Sequence, residues 1–321
     1  MSQNNGEPST GKTDSTTFVV VLPAHNEERY IGSLVIKLKQ IVDEVIVVDD
    51  GSTDMTASIA CAAGAVVKHH DHNIGKGVAL NTGFRKAREL GADIAVMIDA
   101  DGQHSPEEFD QIIAPLKSGK ADIVVGSRYL DQSSKVPRHR IWGHKAINFL
   151  TRQASGISVT DSQSGYRAFS AKALRVLSFY SDGFSVESEM QFIANENDLT
   201  IIEVPVTIQY PDKPKRSAVR QGVGVLNGII YMTSQYRPLL FFGILGIVSI
   251  LVGFVLGLRV LDIFYSSRNL AVGTAVLSVL FVIIGTVSLS TGIILHSIRA
   301  MVKNLLSALE DRYDISQSPK K

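Results

Sequence analysis

Two carboxylates and an amide follow an apolar run in the segment D-A-D-G-Q at residues 99–103. Asp99 ends the expected strand, and Asp101 and Gln103 lie in the loop after it, so three oxygen donors can converge on one cation. Hard oxygen ligands in small number suit Mg²⁺ or Mn²⁺, with water and substrate phosphates completing the coordination. Such a cation would neutralise charge on a departing diphosphate. The plainer alternative is a strand that simply ends in a solvated acidic loop.

A second strand end, V-V-D-D-G-S-T-D at residues 47–54, also runs into an acidic turn. A carboxylate fixed there can accept hydrogen bonds from a base or ribose, and Asp50 is the candidate. Ser52 and Asp54 are candidates to cap the helix that follows.

The first expected strand leaves through L-P-A-H-N-E-E at residues 22–28. Pro23 stiffens the exit, and Asn26 and Glu27 can open a helix, although ordinary turn chemistry would look the same. Because ligands of parallel sheets bind beyond the carboxyl ends of the strands, we expect these three polar loops to meet.

A phosphate substrate needs cations, and several arginines lie in expected loops. Arginine pairs bidentately with phosphate oxygens, and Arg128 and Arg138 are the first candidates for an acceptor phosphate. Arg167 and Arg216 are further candidates. For Arg216, which precedes the apolar tail, nonspecific attraction to anionic lipid is a strong alternative.

The three strand-end segments, in this order and at this spacing, resemble the inverting, GT-A-type glycosyltransferases of family 2. The resemblance covers Phe18 to about Tyr210 and includes N-I-G-K-G at residues 73–77 and D-S-Q-S-G-Y-R-A-F at residues 161–169. The most similar subgroup is the dolichyl-phosphate mannose or glucose synthases. Relatives often show D-P-T-S where this chain has D-S-Q-S, so only Asp161 and Ser164 carry over, with Ser164 assigned to the acceptor phosphate.

The resemblance implies an α/β fold, a Rossmann-like GT-A nucleotide-sugar-binding domain with a mostly parallel sheet. The predicted nucleotide-binding residues are Pro23, Asn26, Glu27, Asp50, Lys76 and Asp99. The predicted metal ligands are Asp99, Asp101 and Gln103, for Mg²⁺ or Mn²⁺. The predicted catalytic residues are Asp99, Asp101 and Arg128.

A lipid phosphate as acceptor would set the mechanism. Its second pKa is about 6, so it is largely dianionic at neutral pH and needs no strong general base. We expect one in-line displacement that inverts the anomeric carbon, with Arg128 fixing the attacking phosphate. Glu187 and Glu189 are candidates to face the sugar, and a solvated helix start is the alternative for both.

Short β-branched runs alternate with helical stretches from Phe18 to about Ser127, which predicts βαβ units and a parallel sheet. The strand candidates are Phe18–Leu22, Val45–Val48, Ala65–Val67, Ile94–Ile98 and Ile123–Val125. The helix candidates are Glu28–Ile41, Met55–Ala63, Val78–Leu90 and Pro106–Leu116, the last with Ser105 as N-cap.

The end of the chain changes to two uncharged apolar runs, each about as long as the roughly 20 residues that a membrane-spanning helix requires. Two core helices of a soluble protein are the less favoured alternative. The predicted organisation is a disordered tail at residues 1–16, the GT-A domain at 17–222, an interfacial amphipathic helix at 223–238, transmembrane helices at 239–258 and 270–295 joined by a hairpin loop at 259–269, and a cytoplasmic segment at 296–321.

Basic residues flanking the spans favour a cytoplasmic catalytic domain at a cell or ER-type membrane. Gly253 and Gly257 would let helices approach closely, in this chain or in a homo-oligomer.

Composition excludes several other classes. The 32 Lys and Arg nearly balance 31 Asp and Glu, so no whole-protein field recruits nucleic acid. Cys61 is the only cysteine, which excludes an intrachain disulfide and a cysteine-based zinc cluster. No P-loop and no G-x-G-x-x-G motif follows the first strand. His69, His70 and His72 lie close together at the end of an expected strand, but consecutive histidines cannot all face one zinc ion.

The resemblance therefore implies transfer of one hexose from a nucleotide-sugar, GDP-mannose or a UDP-hexose, to membrane-embedded dolichyl or polyprenyl phosphate. One alternative is a processive polysaccharide synthase, although the Q-x-x-R-W segment of those enzymes is not seen around Trp142. Another is a non-catalytic sugar-nucleotide-binding membrane scaffold, against which the intact D-A-D-G-Q segment argues.

Overall fold

The structure, a computed structural model, describes residues 16–130, 138–179, 186–208 and 218–317. Apart from Thr16, the tail predicted at residues 1–16 lies outside this part. The chain divides into two compact units, one up to Leu226 and one from Asn227 onward.

A seven-stranded sheet forms the centre of the first unit. Its strands are β1 (Phe18–Ala24), β2 (Glu44–Asp49), β3 (Val66–His69), β4 (Ile94–Met97), β5 (Ile123–Ser127), β6 (Arg167–Ser170) and β7 (Ile201–Pro205). The order across the sheet is β3-β2-β1-β4-β6-β5-β7. Every pairing is parallel except those of β6, which runs antiparallel to β4 and β5. The predicted mostly parallel α/β sheet is confirmed, and β6 and β7 are additions that the sequence analysis did not foresee.

Helices cover both faces of this sheet. They are α1 (Ile31–Leu38), α2 (Thr56–Ala62), α3 (Lys76–Glu89), α4 (Phe109–Lys117), α5 (Arg138–Ser155), α6 (Ala171–Val176) and α7 (Val186–Glu196). Residues 19–22 of β1 are completely buried, as expected of a central strand covered on both sides. An added Cβ on Gly83 would lie 2.3 Å from Val21, so α3 lies directly on β1. The apolar side chains of α1 and α4 join the core on the opposite face.

The helix starts differ from the prediction in instructive ways. Ser105 does cap its helix by accepting from the Glu107 amide, but the first turn is a 3₁₀ helix, Pro106–Glu108, ahead of α4. Helix α1 begins three residues later than expected, because Asn26 adopts a left-handed φ of 55° and a turn follows it. Helix α3 begins two residues earlier, at Lys76, directly after Gly75 with φ of 114°.

The connections create a crevice at the carboxyl end of β1. The chain adds β2 and β3 on one side of β1 and then crosses to add β4 on the other side. Such a switch point is where doubly wound sheets bind their ligands. The polar loops after β1, β2 and β4 therefore open into the same crevice.

The second unit contains two long apolar helices. Helix α8 (Ala218–Tyr236) leads into α9 (Pro238–Ser267) and α10 (Val272–Gln317). The segments Pro238–Ser267 and Val272–Val302 are long and apolar enough to cross a membrane. The hairpin loop predicted at residues 259–269 is shorter in the structure. Helix α9 continues through Arg259, since no Gly or Pro interrupts it there, and it ends where Arg268 takes a left-handed φ of 57°.

Small residues bring α9 and α10 into close contact. A Cβ added to Gly246 would lie 2.7 Å from the carbonyl oxygen of Gly285, and one added to Gly253 would lie 2.8 Å from that of Ser278. The Ser278 hydroxyl also donates to the Gly253 carbonyl at 2.7 Å. Gly253 therefore serves packing within the chain, and association between copies stays a prediction.

Candidate active site

The acidic turn after β4 brings the predicted metal ligands together. Asp101 accepts two hydrogen bonds from Gln103, one from its backbone amide at 3.1 Å and one from its side-chain nitrogen at 2.6 Å. Gly102 has a φ of 72°, and a Cβ there would lie 2.8 Å from the Tyr30 ring, so the turn requires glycine. Asp99 lies close enough to raise the pKa of Asp101 by its charge.

The electrostatics of this turn suit a divalent cation. Burial, and then the charge of Asp99, raise the pKa of Asp101 to about 6. An ionised Asp101 is therefore short of positive partners, which a bound cation would supply. No three His, Cys, Asp or Glu side chains converge on a metal site among the described residues. Two carboxylates with the Gln103 amide oxygen leave coordination positions for water and phosphate, which fits Mg²⁺ or Mn²⁺.

Asp99 is held from two sides. A Cβ added to Gly165 would lie 2.1 Å from Oδ2 and 2.7 Å from Oδ1 of Asp99, so the backbone before β6 packs against the carboxylate. Oδ1 also lies 2.5 Å from the ammonium of Lys76. Burial alone would raise the pKa of Asp99, but the Lys76 charge outweighs it and the pKa is lowered.

Lys76 is shared between two acidic residues. Its ammonium lies 2.5 Å from Asp99 and 2.5 Å from Oε1 of Glu187 on α7. Burial favours the neutral amine, yet the two carboxylates raise the pKa of Lys76, so it stays charged. The sequence analysis predicted Lys76 for the nucleotide and Glu187 for the sugar without foreseeing that they meet.

Asp50 holds the loop that presents Lys76. Its carboxylate pairs with the His70 ring at 2.8 Å and accepts from the backbone amides of Ile74 at 3.0 Å and Gly75 at 2.8 Å. Burial would raise the pKa of Asp50, but these hydrogen bonds together lower it. The predicted nucleotide contact through Asp50 stays a prediction, to which the structure adds this positioning role.

The exit of β1 is tied to the turn after β2. Asn26 donates its backbone amide to Ser52 at 2.9 Å and accepts from the Thr53 amide at 2.9 Å. Glu27 lies near enough to the acidic turn for its charge to raise the pKa of Asp101. Pro23 lies within β1 and is paired with β2.

Arg128, directly after β5, forms a bidentate pair with Asp161. Its Nε and Nη2 atoms lie 2.5 Å and 2.6 Å from the two carboxylate oxygens, and both side chains are buried. The charge of Arg128 also lowers the pKa of Asp99, which places a fixed guanidinium near the acidic turn. Bidentate pairing limits the orientations that this guanidinium can take.

Arg167 lies in the interior instead of at a phosphate-accessible surface. It is completely buried and donates to the carbonyl oxygens of Ser162, Ser164 and Glu187. This arrangement corrects the expectation of a direct phosphate contact, because each of the three guanidinium nitrogens already donates to a backbone carbonyl in the interior. Ser164 is buried in that turn, with its hydroxyl accepting from the backbone amide of residue 166.

The last of the predicted site residues are Glu189, Arg138 and Arg216. Glu189 is buried on α7, and its contact with the sugar stays a prediction. Arg138 is the first residue of α5, and its side chain is not among those that the structure describes. Arg216 lies outside the described residues.

His104 is buried beside the acidic turn, a placement that the sequence analysis did not foresee. It is 6% exposed, and its ring packs edge-on against Tyr166 with centroids 5.3 Å apart. Burial lowers the pKa of His104 to about 4, against the opposing charge of Asp99, so the ring is neutral near pH 7. Its position directly after Gln103 was the available signal.

Comparison with known proteins identifies the family. Residues 19–178 match the sequence model of glycosyl transferase family 2. The chain is 38% identical over 215 residues to the UDP-N-acetylglucosamine–dolichyl-phosphate N-acetylglucosaminyltransferase of Methanococcus voltae, covering 60% of this chain and 86% of that protein. The chain belongs to glycosyl transferase family 2. The resemblance inferred from the three strand-end segments is thereby confirmed.

Other similar proteins agree with this assignment. The polyprenol monophosphomannose synthase of Mycolicibacterium smegmatis is 30% identical over 219 residues, covering 64% of this chain and 82% of that protein. Glucosyl-3-phosphoglycerate synthase from Mycobacterium tuberculosis, solved with Mn²⁺, UDP-glucose and phosphoglyceric acid, is 26% identical with a TM-score of 0.54, covering 68% of this chain and 80% of that one. This family 2 protein is a glycosyltransferase with the GT-A fold.

Proposed function

We propose that this family 2 enzyme transfers one hexose or N-acetylhexosamine from a nucleotide-sugar to a polyprenyl phosphate in the membrane. The observation that carries the proposal is the metal-suited turn of Asp99 and Asp101 beside the fixed guanidinium of Arg128. Relatives named for dolichyl-phosphate and polyprenol phosphate products support the acceptor class. Both UDP-sugars and GDP-mannose remain candidate donors.

The residues of the crevice divide the chemistry between them. Asp99, Asp101 and Gln103 would hold Mg²⁺ or Mn²⁺, which supplies charge neutralisation for the departing nucleoside diphosphate. Arg128, fixed by Asp161, orients the acceptor phosphate. That phosphate is largely dianionic at pH 7, since its second pKa is about 6, so it attacks without a general base. A single displacement then inverts the anomeric carbon.

The apolar hairpin of α9 and α10 would keep the enzyme at its lipid acceptor. Its two helices have the length and composition of membrane spans. We place the catalytic unit on the cytoplasmic side, because Arg237 precedes the first span and Arg299 follows the second.

The direct test is a transfer assay on the full chain in detergent. Purified enzyme is incubated with Mn²⁺, polyprenyl phosphate and a panel of labelled UDP- and GDP-sugars, and the organic phase is extracted. We expect label in the lipid for one donor class, one sugar per lipid, and an inverted anomer. Label remaining in water for every donor would refute the proposal, and a polymeric product would favour a processive synthase.

Asp101→Ala separates catalysis from a scaffold role. We expect this variant to lose transfer activity because a metal ligand is lost. Added Mn²⁺ should not restore the activity. Asp110→Ala, which removes an exposed carboxylate on α4, is the matched control and should transfer normally.

A further inference from the structure

The ammonium of Lys76 lies directly against the Asp99 carboxylate. It lies 2.5 Å from Oδ1 of Asp99 and 2.5 Å from Oε1 of Glu187. The Lys76 side chain is 15% exposed and that of Glu187 is 4% exposed, so the contact is largely shielded from water. The carboxylate that the proposed metal site needs therefore already carries a positive partner.

The two oxygens of Asp99 have different surroundings. Oδ1 is buried and its close contact is the Lys76 ammonium, whereas the Asp99 side chain as a whole is 30% exposed. Mg²⁺ and Mn²⁺ bind a carboxylate oxygen directly, Mg²⁺ at roughly 2.0–2.1 Å. A divalent cation on this carboxylate would therefore lie close to the ammonium, and the two positive charges repel each other.

Lys76 has an alternative partner when it leaves Asp99. Glu187 stays beside its ammonium, and the long lysine side chain can swing without moving the helix. The backbone that carries Lys76 remains fixed, because Asp50 accepts from the two amides that precede it. Phosphate oxygens arriving at the crevice would offer the ammonium a further anionic partner.

We infer that Lys76 is an exchangeable counter-ion that weakens metal binding at Asp99 until a nucleoside diphosphate draws its ammonium away. This inference rests on the proposed metal role of Asp99. It follows that the divalent cation and the nucleoside diphosphate bind with positive coupling, each raising the affinity for the other by the same factor.

The test is a titration of the full chain in detergent with Mn²⁺, in the presence and absence of UDP or GDP. Electron paramagnetic resonance measures the concentration of free Mn²⁺ at each step. We expect Lys76→Met to bind Mn²⁺ about tenfold more tightly than wild type without nucleotide, which corresponds to about 1.4 kcal/mol. The gain from adding the nucleotide should shrink in the same variant. Lys86→Met, on the same helix with its ammonium paired to Glu89, should behave as wild type.

Glu187→Gln gives a result of opposite sign. It removes the partner that receives the displaced ammonium, so Mn²⁺ should bind several-fold more weakly than to wild type. A general loosening of the site would instead move both variants in one direction. Unchanged or weaker Mn²⁺ binding by Lys76→Met, or tighter binding by Glu187→Gln, would overturn the inference.

The titration contains no lipid and no sugar, so it is independent of the transfer assay. Failed transfer with the coupling intact would reject the proposed acceptor and leave the role of Lys76 standing. Absence of Mn²⁺ binding in wild type, even with nucleotide, would overturn the inference together with the metal site.

Discussion

Asp101→Asn should stabilise the metal-free protein while abolishing its activity. Burial and the charge of Asp99 raise the pKa of Asp101 to about 6, against about 3.9 in an unfolded chain. The folded protein therefore bears a cost whenever Asp101 is ionised. Asparagine removes that charge and keeps an oxygen that can accept from the Gln103 amide.

The pKa difference sets the size and the pH dependence of this effect. A raised pKa means that the folded chain binds the proton more tightly than the unfolded chain does. The cost is absent below about pH 3.9, grows as the pH rises, and is complete above about pH 6. The pKa difference of roughly two units corresponds to a cost of about 3 kcal/mol. Partial solvent access at Asp101 reduces this cost to on the order of 1–3 kcal/mol.

Thermal unfolding in detergent with EDTA measures the effect. At pH 8 we expect the unfolding midpoint of Asp101→Asn to exceed that of wild type by a few degrees, since about 1 kcal/mol corresponds to roughly 2–4 °C for a unit of this size. The difference should shrink towards pH 4. Adding Mn²⁺ should raise the wild-type midpoint only. Asp110→Asn is the control, with a change within about 0.5 kcal/mol. A midpoint at pH 8 equal to or below that of wild type would refute the reasoning.

Five further outcomes are expected. Asp161→Asn removes the negative charge that faces the buried Arg128 guanidinium and should lower the free energy of unfolding by about 3 kcal/mol, seen as a lower denaturation midpoint. Arg128→Lys loses bidentate geometry, and kcat should fall about 100-fold with little change in donor KM. Gly165→Ala pushes the Asp99 carboxylate aside, so transfer should fall at least about 100-fold in a protein with an unchanged circular dichroism spectrum. EDTA should abolish transfer and Mn²⁺ or Mg²⁺ should restore it. Gly285→Val should separate α9 from α10 and cost about 1–3 kcal/mol of thermal stability, whereas Val279→Leu on an exposed face should not.

Local sequence determined most of the central sheet. The strands β1, β2 and β4 are short β-branched runs that end in polar loops, and they need only their own pattern to be recognised. The same reasoning predicted that Asp99, Asp101 and Asp50 lie at strand ends on one edge of the sheet, because the carboxyl ends of parallel strands meet there. The two apolar helices could also be predicted from the sequence, since length and lack of charge are local properties.

Tertiary structure alone decided which of these residues meet. Strand β6 is four residues long and enters the sheet antiparallel between β4 and β5, a placement that no local pattern encodes. Lys76 and Glu187 are 111 positions apart and Arg128 and Asp161 are 33 apart, so their pairing depends on how helices and turns pack around the sheet.

The same limit applies to Arg167. Its sequence neighbours suggest a phosphate ligand, whereas the fold buries it as a support for the turn. A side chain's type and spacing determine what chemistry it can perform. Whether it performs that chemistry depends on burial and on competing partners, which are supplied by segments distant in sequence and exist only once the chain has folded.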